Sequence, residues 1–231
     1  MKRKAIIIGN SDGIGLAASK TLLNQEWRVS GISRSPSPID HPGYSHRVSD
    51  LAEKGYSEML ESLVQSEAPL DVCLFCAGIG ELLEIDEMHN EVEIVTVNLL
   101  GMIETAAIVI PAMVEEGRGH FLGISSVADD MISAEAPAYH ASKAGFSNYL
   151  ESLALALRPR GVSVTNVRFG FVDTKMAKGD VRPFMMSVDR AVQHLLTCID
   201  KKPARYTAPA MVTPLVYLRR WSQKLSLKFG R

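Results

Sequence analysis

Tyr139 and Lys143 stand four residues apart in the stretch Pro137-Ala138-Tyr139-His140-Ala141-Ser142-Lys143-Ala144-Gly145. On a helix this spacing puts a phenol and an ammonium on one face. A free phenol titrates near ~10 and is a sluggish proton donor at neutral pH. A cation about 4 Å away, at an effective dielectric near 20, would lower that by roughly 3 pKa units at most. The pair therefore either tunes a general acid–base or decorates a solvated helix. His140, beside Tyr139, is expected to point off that face. None of the six histidines has metal-ligand spacing, so no metal is expected.

Such a pair needs a rigid scaffold, and the pattern of the chain predicts one. Short β-branched or apolar runs, read as strands, fall at Lys4–Ile8, Arg28–Ser33, Ser45–Val48, Asp71–Phe75, His120–Ile124, Ser163–Arg168 and Arg205–Thr207. Helical stretches lie between them at Ile14–Gln25, Glu53–Ser66, a long segment ending near Glu116, Tyr139–Leu157 and Val188–Ile199. Strands alternating with helices predict βαβ units and a parallel sheet covered on both faces. No linker or repeat divides residues 1–231, so one α/β domain is expected.

Composition narrows the function. The 231 residues are 46% hydrophobic with a net charge of −1, which argues for a full core and against nucleic acid as a partner. Cys73, Cys76 and Cys198 are too few for a disulfide framework. The Cys73/Cys76 pair lies on an expected strand, where residues three apart face opposite ways, and reads as two small core residues. The apolar run after Met1 stops at Gly9, short of a signal-peptide core, and no stretch approaches a membrane span. A cytoplasmic protein is expected.

The segment 212–231 differs, with five Lys or Arg, no acid, and interspersed Leu, Trp and Phe. Its plainer reading is a terminal amphipathic helix closing over the substrate end of the domain. Contact with an anionic membrane is the alternative.

The first expected strand runs into Gly9-Asn10-Ser11-Asp12-Gly13-Ile14-Gly15, and a helix follows. Glycines here allow a tight turn and close approach of a ligand to backbone, and the helix start offers free N–H groups to a pyrophosphate. The second strand ends Gly31-Ile32-Ser33-Arg34, with an arginine where an acid would hold the ribose of NAD, so NADP is the expected cofactor. Asp12 is a contrary note, because a carboxylate repels phosphate.

With these elements in place, the sequence resembles the short-chain dehydrogenase/reductase family over nearly its whole length. The family's TGxxxGIG turn is matched by Ile8 to Gly15, and its YxxxK by Tyr139 to Lys143. The active serine corresponds to Ser126 and the helix asparagine to Asn98. An adenine-contacting acid corresponds to Asp50, followed by Leu51. The NAG element appears as Cys76-Ala77-Gly78, and the loop after strand six as Arg168 to Thr174, with Gly170, Val172 and Thr174 toward the nicotinamide end. The sequence departs at Ile8 and Cys76, which lose two side-chain bonds that brace the turn, at Phe169 in place of proline, and in its basic ending.

The resemblance implies a three-layer Rossmann-type fold of about seven parallel strands and an NADP(H)-dependent interconversion of carbonyl and alcohol. Tyr139 would be the acid–base and Ser126 would hold the substrate oxygen. Lys143 would lower the phenol's pKa and bind the nicotinamide ribose, and Asn98 would hold a relay water. It also implies a homodimer or homotetramer. Two segments, Val127–Pro137 and Asp173–Ser187, would set the small-molecule substrate. Their Met176, Phe184, Met185 and Met186 read either as an apolar lid or as loop residues packed on the core. A cofactor-binding regulatory or scaffold protein with little turnover is the alternative function.

Overall fold

The computed structural model describes residues 2–177 and 184–230. Its strands are β1 (Lys4–Ile8), β2 (Arg28–Ser33), β3 (Tyr44–Val48), β4 (Val72–Phe75), β5 (Gly119–Ser126), β6 (Val162–Phe169) and β7 (Arg205–Ala208). They form one sheet in the order β3-β2-β1-β4-β5-β6-β7, with every neighbouring pair parallel. The helices are α1 (Gly13–Asn24), α2 (Tyr56–Glu67), α3 (His89–Val95), α4 (Gly101–Glu115), α5 (Pro137–Leu157), α6 (Val188–Lys201) and α7 (Val212–Phe229). This is the doubly wound, three-layer architecture expected from the sequence.

Strand alternation divides the core in two. Ala5 and Ile7 of β1 face the layer of α1 and α6, where Leu22, Leu195 and Cys198 are buried. Ile6 and Ile8 face the other layer, with Leu60 of α2, Val109 of α4 and Phe146 of α5. The cysteines obey the same rule. Cys73 is buried in the second layer and Cys76 packs against the first, with both thiols free.

Element boundaries moved for local reasons. Helix α2 begins at Tyr56 rather than Glu53 because Gly55 sits at φ +103, a left-handed conformation that cannot start a helix earlier. Strands β5 and β6 run further than their apolar pattern suggests, pairing through Ser126 and Phe169. The long helix is three pieces, because a π-helical segment, Thr96–Leu100, joins α3 to α4. The continuous helix His89–Glu115 spans 27 residues at mean hydropathy 1.8, so by length and composition it could cross a membrane, contrary to the sequence reading. Half of it is buried, and α4 packs on α2 while α3 packs on α5, which is the setting of a core helix.

The strand order reverses between β1 and β4, and at such a point the loops leaving the two strands diverge and open a crevice. The glycine turn follows β1, Ala77 and Gly78 follow β4, and Ser126 ends β5. Topology alone thus gathers three of the predicted segments at one edge of the sheet.

Candidate active site

At the β1–α1 junction, Gly9 (φ +83) and Gly13 (φ +52) take left-handed conformations that favour glycine. A Cβ on Gly15 would lie 2.2 Å from the Gly9 carbonyl oxygen, and one on Gly9 would lie 2.5 Å from the Ala77 nitrogen. The turn is therefore bare backbone pressed against the loop after β4. Ser11 and Ile14 lie in and just after it, half-buried. The first N–H groups of α1, which have no partners within the helix, open toward it. This cradle fits the pyrophosphate of a dinucleotide.

Asp12 caps α1, accepting from the Gly13 N–H at 2.7 Å, and pairs with Lys175 Nζ at 2.6 Å. The Lys175 hydrogen bond, before the Gly13 bond, pulls the carboxyl below the usual carboxylate range. Lys175 thus offsets the charge that made Asp12 a contrary note. Thr174, donating its N–H to the Val172 carbonyl at 2.8 Å, places its methyl over Gly13. Val172 is buried and bridges to Met186, and Gly170 lies against Pro209.

The bracing lost at Ile8 and Cys76 comes from Asn10, which is fully buried. Its Nδ2 donates to the Tyr44 hydroxyl at 2.6 Å and to Ser19 Oγ at 3.4 Å, and its Oδ1 accepts from Ser33 at 3.5 Å. The turn is thereby tied to β2, β3 and α1. The amide fits only because residue 31 is glycine, where a Cβ would lie 2.0 Å from Asn10 Nδ2. A glycine inside an expected strand is the signal that could have revealed this close approach.

At the far end of the crevice, Arg34 follows β2. Its guanidinium is about half exposed and lies 3.9 Å from both Asp50 and Glu93. Asp50 also accepts from the Ala52 N–H at 2.9 Å. Leu51 packs on Gly101 at the start of α4.

The four residues predicted to do chemistry converge at the ends of β4 and β5. Asn98 lies on the π-helical segment, whose extra residue per turn often marks functional positions. Its Oδ1 accepts from the Ile79 N–H at 2.8 Å, and its Nδ2 donates to the Ile79 carbonyl at 2.9 Å and to Ser142 Oγ at 3.1 Å. A Cβ on Gly78 would lie 3.3 Å from Asn98 Oδ1 and 3.6 Å from both Lys143 Nζ and Met176 Cε, so Gly78 clears the floor of the site. Ser126 caps the 3-10 turn Val127–Asp130, accepting from the Ala128 N–H at 3.1 Å, and its hydroxyl lies beside that of Tyr139.

The electrostatics differ from the sequence expectation. Burial raises the Tyr139 phenol above its ordinary value, and the Ser126 hydrogen bond, not Lys143, is what opposes the rise. Lys143 donates to the Ile124 carbonyl at 3.0 Å, with Nζ 5.9 Å from the centre of the Tyr139 ring. Burial pushes its own pKa down to about 8. An i,i+4 spacing fixes a shared face but not which way a long side chain turns. His140 does point away, toward the Met131 carbonyl at 3.3 Å.

Beneath Ser126 lies a network that the sequence did not disclose. Arg168 of β6 is buried, and its Nε donates to Asp129 Oδ2 at 2.6 Å, a carboxylate that also accepts from Ser147 at 2.5 Å. Arg168 further pairs with Asp130, which Arg205 contacts at 3.0 Å. The pair fastens the turn after Ser126 to the neighbouring strand. Arg168→Met should destabilise the protein by about 3–5 kcal/mol in urea unfolding, because it strands a buried carboxylate. Adding Asp129→Asn should recover most of the loss.

The sequence and the fold have known relatives. The family model for short chain dehydrogenases covers residues 3–183. An uncharacterized oxidoreductase of Myxococcus xanthus is 29% identical over 214 residues, 83% of this chain and 81% of that protein. A very-long-chain 3-oxoacyl-CoA reductase of Podospora anserina is 30% identical over 190 residues, 75% of this chain and 56% of that protein. A short chain dehydrogenase from Burkholderia cenocepacia, solved in complex with NADP, superposes with a TM-score of 0.85 at 21% identity, covering 98% of this chain and 97% of that one. The chain belongs to the short-chain dehydrogenase family of NAD(P)-dependent oxidoreductases.

Proposed function

We propose that the protein is an NADP(H)-dependent reductase of a small carbonyl compound, with Tyr139 as the general acid. The observation that carries this reading is the meeting of Asn98 and Lys143 at the floor that Gly78 leaves open, with Tyr139 and Ser126 next to Lys143 and a cradle of bare backbone alongside. Bound NADPH would supply the hydride. Ser126 would hydrogen-bond the substrate oxygen and stabilise its developing charge. The Tyr139 hydroxyl would give the proton that the alkoxide needs, and it would be refilled through Lys143, whose weakened hold on its own proton suits a relay. Asn98 would position the Ile79 backbone beside that path, and Lys143 would bind the nicotinamide ribose. Gly9, Ser11, Gly13, Ile14 and Gly15 would hold the pyrophosphate, while Asp50 and Leu51 would flank the adenine. Ala77, Gly78, Gly170, Val172 and Thr174 would line the nicotinamide end.

A glycine turn lacking the bonds lost at Ile8 and Cys76 would favour the alternative, a scaffold with little turnover, but Asn10 braces the turn instead. Exposed Phe171, Met176, Phe184 and Met185 around the crevice favour an apolar substrate. Residues 178–183 of the expected lid lie outside the described residues. A homodimer or homotetramer is inferred from the family. Exposed Ala141 and Ala144 are available for it, whereas Gly145 meets Leu99 of its own chain. Three free thiols, two of them buried, support a cytoplasmic setting.

Tyr139→Phe should reduce turnover of a ketone or aldehyde panel by roughly 1,000-fold or more while leaving the NADPH Kd nearly unchanged, since only the proton donor is removed. Retained turnover would exclude Tyr139 as the acid. Because its pKa lies above the usual phenol value, the phenol stays protonated through neutrality. Reduction should therefore hold level from pH 6 to 8, and alcohol oxidation, which needs the phenolate, should rise into alkaline pH.

The cofactor preference is tested by binding. NADP should bind at least ~10-fold tighter than NAD, and Arg34→Ala should remove most of that difference while leaving NAD affinity unchanged, since the arginine meets only the 2′-phosphate. Equal affinities in the wild type would overturn the assignment.

A further inference from the structure

We propose that α7 is a membrane-surface anchor, which lays its outward apolar face on an anionic lipid bilayer beside the mouth of the active-site crevice. The side of the helix held by the protein is defined by Val212 and Val216, both buried, and by Gln223. Gln223 Oε1 accepts from the Ile132 N–H at 3.0 Å and its Nε2 donates to the Ile132 carbonyl. Leu215, Leu218, Trp221, Leu225 and Phe229 follow at steps of three, three, four and four, the recurrence of a single helix face. At ~100° per residue this stripe lies roughly opposite the docked side. Leu215, Leu218, Trp221 and Phe229 are solvent-facing, with Leu218 and Trp221 each 63% exposed, and Leu225 is half-buried among them. An outward apolar face of this extent marks an interaction surface rather than a core-forming one.

The charges identify the occupant. Lys224 and Lys228 border one edge of the stripe and Arg219 the other, and residues 212–231 contain no acid. Two such helices meeting face to face would bring cation against cation with nothing to pair them. An anionic bilayer complements both the apolar stripe and its basic edges. Trp221 and Tyr217 add rings that suit the headgroup boundary.

The position of α7 links the anchor to the site. The helix packs against the 3-10 turn Val127–Asp130, directly after Ser126. Burial above all holds the pKa of His140, next to Tyr139 in sequence, below its ordinary value, and Arg219 lies near enough to add to that. Exposed Met211 continues the apolar surface at the start of α7. The contact would therefore be made beside the crevice rather than behind the sheet, a route for an apolar carbonyl out of the bilayer that rests on the reductase reading. Lipid binding itself does not rest on it.

The test is co-sedimentation of the full chain with phosphatidylcholine vesicles, with and without phosphatidylglycerol. The protein should pellet with the anionic vesicles only, less so at high salt, with a blue shift of Trp221 fluorescence. Leu218→Gln/Trp221→Gln should lower the bound fraction about tenfold while the NADPH Kd, which reports the folded site, stays unchanged. If that variant fails to fold, Lys224→Glu/Lys228→Glu, at two exposed positions, should abolish the preference for anionic lipid. Failure of the wild type to pellet, equal pelleting with both vesicle types, or undiminished binding by a folded variant would each overturn the anchor. A loss of solution mass in the first variant, without vesicle binding by the wild type, would give the face to a second copy instead. Loss of turnover through Tyr139→Phe leaves the sedimentation result untouched, so the two readings fail separately.

Discussion

The site depends on a buried ion pair that does not itself take part in the chemistry. Ser126 ends a strand, and the turn that follows it would be free to move if nothing held it. Asp129 in that turn is fixed by Arg168 from the next strand and by Ser147 from α5. Ser147 is bonded in turn to Ser125 at 2.7 Å, so strand, turn and helix are locked where Ser126 meets Tyr139. Two charges in the core pay a desolvation penalty, and they persist only because every oxygen of Asp129 finds a donor. The return is positional, since a serine and a tyrosine from different elements are held side by side.

Much of this was legible in the sequence, for identifiable reasons. Strands buried on both faces read as apolar runs, so β1 and β2 were located to the residue. The tetrad could be found because each member ends or starts an element whose pattern is strong. Asn10 was not legible, because a buried amide in a glycine turn looks like any polar loop residue until Gly31 of a neighbouring strand is brought beside it. The Arg168–Asp129 pair escaped for a similar reason. The two are 39 residues apart, and an arginine within an apolar strand gives no sign of its partner. The direction of Lys143 was misread because helix periodicity constrains a Cβ and not the four carbons beyond it. Gly55 shortened α2 through a backbone angle that periodicity cannot register.

The same structure explains why the catalytic end is costly to hold. Lys143 carries an ammonium into a region 4% exposed, with one carbonyl for a close partner. Tyr139 is desolvated beside it. Neither choice favours folding, and both bear on proton handling, because burial holds the proton on the phenol and loosens it on the ammonium. Burial raises the phenol and lowers the ammonium, whereas the i,i+4 spacing alone would have the lysine lower the phenol directly. Helix α7 adds a third exception to the usual distribution of side chains, with apolar residues outward on a helix whose inner side is already occupied.

Lys143 is kept in the core close to its deprotonation point, next to the proposed acid. Its pKa can be read from the Lys143 signal in protein labelled with 13C at the lysine Cε, assigned by Lys143→Arg and titrated without added nucleotide. A lysine desolvated in this way should show a midpoint of about 8. An ordinary lysine value near ~10.5 would show the ammonium to be solvated and would contradict it.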